Sequence, residues 1–165
     1  MGGATAPHGP PTIIGASTVD SKEKSLVAAR AALDKKSSDL IVFKVGGLTT
    51  VADYFIICSA ESQRQVRAIR DHIEDTLSKR GCRLFSTEGE ETGRWILMDY
   101  SDLIVHIFKD DVRSFYALER LWGDAPRLDL PSDVRMDTKI ALPPGLPQPA
   151  KRLGSVVRRR KSARK

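Results

Sequence analysis

Residues 94–108, RWILMDYSDLIVHIF, set two carboxylates, Asp99 and Asp102, and an imidazole, His106, into an apolar run. Carboxylates beside an imidazole are the parts of an acid–base pair or a metal site, provided they come within about 3 Å of a shared proton or ion. The run reads as a β-hairpin. With Tyr100 and Ser101 as a two-residue loop, Asp99 opposes Asp102, Leu97 opposes Ile104 and Trp95 opposes His106. His106 then stands four residues from both acids, roughly 13 Å at about 3.3 Å per residue, too far for a dyad or a common metal. Alternation puts Trp95, Leu97, Asp99, Asp102, Ile104 and His106 on one face and Ile96, Met98, Leu103, Val105 and Ile107 on a core face.

Other stretches supply no better constellation. Gly46 and Gly47 belong to neither a GxxxxGK nor a GxGxxG phosphate loop, and Asp110 and Asp111 are adjacent rather than a DxD metal pair. Ser59 lies in CSAES, not in a GxSxG elbow. Cys58 and Cys82 form no CxxC and read as buried free thiols. The expectation is a binding protein with no catalytic residue, no metal and no cofactor, a nucleotidyltransferase-like enzyme being the alternative.

Elements must hold the hairpin in place. Asp20 with Glu23 resembles a capping box that opens a helix from about Ser21 to Lys35. LIVFKV at 40–45 is of strand length, and YFIIC at 54–58 is apolar on both parities, the pattern of a central strand covered on both faces. Ser62 with Gln65 makes a second capping box, opening a helix with a stripe of Val66, Ile69, Ile73 and Leu77 that Gly81 ends. CRLFS, 82–86, reads as a strand, and VRSFYALERLW after Asp110 and Asp111 as a last helix stopped by Gly123 and Pro126. The order α, β, β, α, β, β, β, α predicts an α/β domain over 20–125, a mixed sheet of about five strands with helices packed on it.

The polar hairpin face has two readings on composition, a docking face or a face covered by a helix of the same chain. The last helix favours docking. Read as continuous, Val112, Phe115, Tyr116, Leu118, Leu121 and Trp122 span an arc of about 220°, wider than one core contact needs. Arg64, Arg67 and Arg70 line one side of the second helix, but Asp71, Glu74 and Asp75 beside them favour a solvated charged face over a phosphate patch.

Charge is unevenly spread. The chain carries a net +6, yet KRLGSVVRRRKSARK, 151–165, holds eight Lys and Arg and no acid, leaving 19 basic and 21 acidic groups elsewhere. Residues 126–165, Pro-rich and then basic, are expected to be disordered alone, as are 1–19, rich in Gly, Pro and Ala. Arg158, Arg159, Arg160 and Lys161 are candidate RNA contacts, with a solvating tail as the alternative. Neither a signal peptide, a transit peptide nor a membrane span is legible, so the cytoplasm is the expected compartment.

TTVADYFIICSAESQRQVRAI, EGEETGRWILMDYSDLIVHIF and FYALERLWGDAP resemble, in order and spacing, the ribosomal silencing factor (Iojap) family over about residues 22–126. The resemblance implies a nucleotidyltransferase-like core without the catalytic acids. It also implies a non-enzymatic factor that binds the fourteenth protein of the large ribosomal subunit and blocks joining of the small subunit when nutrients are scarce. Carried over by position, its binding surface uses Trp95, Asp99, His106, Tyr116, Leu118, Glu119 and Trp122, and a homodimer is implied as well. SerAlaGluSer at 59–62 departs from the family, which often has Gly there, and the basic extension lies outside the shared core.

Overall fold

The structure, a computed structural model, describes residues 19–135. Helix α1, Ser21–Asp34, leads into the antiparallel strands β1, Ser38–Lys44, and β2, Tyr54–Ala60. Helix α2, Gln63–Ser78, precedes β3, Ser86–Glu88, β4, Trp95–Asp99, and β5, Leu103–Lys109. The sheet runs β1-β2-β5-β4-β3, with β2 and β5 parallel and the other neighbours antiparallel. Every residue of β2 is buried, as its apolar parities predict for a central strand. A mixed five-stranded α/β sheet is what the sequence leads one to expect.

Both long helices lie on one sheet face. The stripe Val66, Ile69, Ile73 and Leu77 of α2 is wholly buried, and α1 packs through Ala28, Ala29, Ala31 and Ala32, small residues that let its backbone approach closely. Against them stand Ile96, Met98, Leu103, Val105 and Ile107, the hairpin's expected core face. Each large side chain buried here stabilises the fold by about 1.5–3 kcal/mol relative to exposure.

The helix ends differ. Ser62 Oγ accepts from Gln65 N at 3.2 Å, while Gln65 Oε1 accepts from Glu61 N and its Nε2 donates to the Lys35 and Lys36 carbonyls, tying α2 to the end of α1. The capping box expected at Asp20 does not form: Asp20 makes no side-chain cap bond, and Glu23 meets Arg80 at 3.4 Å instead. Gly81, at φ +76, ends α2 as its position predicts.

Three expected boundaries change. The strand expected at 82–86 is confined to Ser86–Glu88, because Cys82 and Leu84 are used in packing against the helical core rather than in pairing. The last helix is not continuous: α3, Asp110–Tyr116, stops at Ala117, which is left-handed at φ 44 and ψ 48, and a 3₁₀ turn follows at Leu118–Arg120. The order also continues past the expected boundary at 125. Lys44 N donates to the Pro126 carbonyl, Arg127 bridges to Phe43, and Leu128 N donates to Val42 O, so this segment lies along the free edge of β1. Leu130 is buried, and a short helix α4, Ser132–Arg135, follows. The basic residues 158–161 lie outside the described residues.

Candidate functional site

The second sheet face is covered differently. Phe43, Phe55, Ile57, Ile104 and Phe108 project from it, and among the described residues they are covered by Val45 and Ala52 of the β1–β2 connection and by the segment from α3 to Ala125. The sheet therefore has one face closed by two helices and one closed in part.

The hairpin turns one residue later than expected. Tyr100 N donates to Leu103 O, leaving Ser101 and Asp102 as the tight loop, with Ser101 at φ 75 and its N–H held by Asp99 Oδ1 at 2.7 Å. Asp99 thus opposes Ile104, Leu97 opposes His106 and Trp95 opposes Phe108. A one-residue move of the loop shifts each partner by two, so the faces survive. Asp102 does not: it pairs with Lys24 of α1 at 2.6 Å, on the helical side.

His106 is 7% exposed and neutral in role. Its Nδ1 accepts from Trp95 Nε1 at 3.2 Å, which requires the proton on Nε2, and burial holds its pKa down at about 4. A neutral imidazole bonded to an indole is a packing element. Trp95 stacks on Phe108 at 4.9 Å, Phe55 meets His106 edge-on at 5.9 Å and Trp122 edge-on at 4.9 Å, and Tyr116 lies 4.8 Å from Trp95. Edge and offset geometries of this kind contribute about 0.5–1.5 kcal/mol per pair beyond area burial.

The residues carried over from the resemblance fall into two groups. Tyr116, 50% exposed, looks outward with half-buried Trp95 beside it, while Asp99, also half-buried, lies at the other end of β4 and accepts from Ser101 N. His106 is buried beneath Trp95, and Leu118 and Trp122, half-buried like Trp95, pack on the second-face cluster. Glu119 is turned inward onto Arg113, whose Nε lies 3.0 Å from Glu119 Oε1. Phe115, 81% exposed, and Leu121, 75% exposed, belong to the surface although the site reading omitted them; their place in the wide apolar arc was the available signal. An open cleft lined by Thr92, Arg94, Trp95, Asp111, Phe115 and Tyr116 adjoins them.

On α2 two arginines find partners within the chain. Arg67 donates to the Glu90 and Glu91 carbonyls, and Arg70 pairs with Asp71, Glu74 and Glu90, the charged face expected of α2. Among the described residues no group of three His, Cys, Asp or Glu is placed to hold a metal ion, and no helix is long and apolar enough to cross a membrane.

An α/β domain with two helices on one sheet face and a partly open aromatic layer on the other is the class that fold and face define. The chain belongs to the family described as ribosomal silencing factor during starvation, whose model matches residues 18–145. It is 44% identical over 104 residues to the ribosomal silencing factor RsfS of Bacillus subtilis, covering 63% of this chain and 88% of that one. It is 35% identical over 107 residues to the chloroplastic protein Iojap of Zea mays, covering 65% of this chain and 46% of that one. A mouse protein named for mitochondrial assembly of the ribosomal large subunit is 27% identical over 91 residues, covering 53% and 40%. A crystal structure from Chromobacterium violaceum superposes with a TM-score of 0.62 at 33% identity, covering 64% of this chain and 88% of that one.

Proposed function

We propose that this protein acts by binding rather than catalysis. The partly open aromatic face docks on the large ribosomal subunit in the cytoplasm, at its fourteenth protein, where the bulk of the domain keeps the small subunit from joining and lowers translation under nutrient limitation. The observation that carries this reading is the exposed pair of Phe115 and Tyr116 beside Trp95, on the face the long helices leave free. Exposed apolar surface marks interaction sites, and Asp99, on the same sheet face at the other end of β4, adds an acidic group suited to a basic protein. Buried His106 supports Trp95 from below, and half-buried Leu118 and Trp122 extend the same face. The family's name and the mouse relative's naming for the large subunit favour the ribosome as partner.

The test uses the full chain and purified large subunits. Trp95→Ala and Tyr116→Ala are each expected to weaken co-sedimentation about thirtyfold, the equivalent of about 2 kcal/mol, with circular dichroism unchanged. Folded variants that pellet like the parent chain reject the surface. The free chain's sedimentation velocity tests the homodimer that the resemblance implies.

A second reading concerns Arg158, Arg159, Arg160 and Lys161. With eight cations and no acid over 151–165, this segment would neutralise ribosomal RNA phosphates as an accessory to the docking face. Deleting 151–165 should then flatten the dependence of log affinity on log salt. An unchanged slope argues against any phosphate contact.

A further inference from the structure

We propose that Arg113 and Glu119 are positioning residues for the docking face. Their buried pair holds the left-handed break at Ala117, so Glu119 serves the partner through Arg113 and does not touch it. This rests on the docking reading above.

Burial argues against direct contact, since the two side chains are 7% and 14% exposed and face each other. Spacing argues for a dedicated role. Residues six apart on a continuous helix lie about 240° around the axis and do not meet. The pair forms because Ala117 interrupts the helix at φ 44 and ψ 48. Left-handed backbone is costly for a residue with a Cβ and persists where surrounding contacts over-determine it.

Arg113 supplies that determination. Its Nη1 donates to the Asp39 carbonyl at 2.6 Å and to Ser59 Oγ at 2.9 Å, so the guanidinium is anchored to β1 and β2 while its Nε grips the residue beyond the break. Asp39 is itself left-handed, at φ 47, beside the irregularity in β1. One buried cation therefore ties the sheet edge, α3 and the 3₁₀ turn together. A right-handed Ala117 would continue α3 and re-aim Leu118–Trp122, parting Trp122 from Phe55.

The experiment measures large-subunit binding of the full chain for E119Q, E119A, A117G/E119A and Y116A, with circular dichroism as a folding check. E119Q keeps an acceptor for Arg113 Nε and is expected to bind within about threefold of the parent, whereas E119A releases the turn at Ala117 from Arg113 and loses about tenfold or more. Glycine adopts the left-handed region freely, so A117G/E119A should recover most of that loss. A carboxylate needed by the partner gives the opposite pattern: E119Q as weak as E119A, and no recovery with A117G. Either result overturns the proposal, as does parent-like binding by E119A, and E119Q decides the matter where E119A does not fold. Parent-like binding by Y116A instead rejects the docking face itself.

Discussion

At the scale of single residues, His106 shows how environment sets role. An imidazole among acids suggests proton transfer, yet this one is buried, accepts from Trp95 and stays neutral down to about pH 4. Its folded pKa lies below the ordinary 6.5, so the unfolded chain takes up the proton first as pH falls. Its contribution to stability is complete above about pH 6.5 and is lost towards pH 4. Denaturant unfolding should show about 2 kcal/mol less stability from this group at pH 4.5 than at 6.5, and His106→Gln should remove that component. Strand parity made the face of Trp95, Leu97, Asp99 and His106 legible in advance. The partner of each residue was not, because a turn at Ser101–Asp102 rather than Tyr100–Ser101 depends on a positive φ that composition does not specify. Asp102 was misplaced for the same reason.

Elements that follow one periodicity were readable, and those that break it were not. The stripe Val66, Ile69, Ile73 and Leu77 repeats with helical spacing and is buried throughout. Ile73→Ala should cost about 3 kcal/mol, seen as a lower midpoint in urea with an unchanged slope. The segment after Asp110 has equally helical spacing, but Arg113 draws Glu119 inward across a break that local propensity opposes. The resemblance puts Glu119 on the binding surface, whereas its side chain is 14% exposed and faces Arg113, a contact that helical spacing does not announce. The loop before β4 is set by backbone geometry as well. Gly89 is at φ +83, and a Cβ there would stand 1.9 Å from the Trp95 carbonyl oxygen. Gly89→Ala should therefore destabilise the fold by about 2 kcal/mol or more and shift the fluorescence of Trp95, whereas Gly47, with nothing near its Cβ position, should accept alanine within about 0.5 kcal/mol.

For the whole molecule, the sheet's edges and centre make different demands. The order β1-β2-β5-β4-β3 puts β1 at one edge, and Pro126–Leu128 covers it. A chain ending at residue 125 should expose that edge and aggregate on heating, while one ending at 135 should melt reversibly; light scattering during a thermal ramp separates them. The alternation of helices and strands made the fold class legible, but nothing in the Pro-rich composition beyond 125 announces pairing with β1. The centre is the parallel pair of β2 and β5, which joins residues roughly 50 apart in sequence. The β4–β5 hairpin closes over a few residues, whereas β2 finds β5 only after α2 and β3 have been traversed. Substitutions within the hairpin should therefore slow refolding, and those that loosen only β1 should chiefly speed unfolding. During synthesis, the middle of the sheet remains open until Lys109 has left the ribosome.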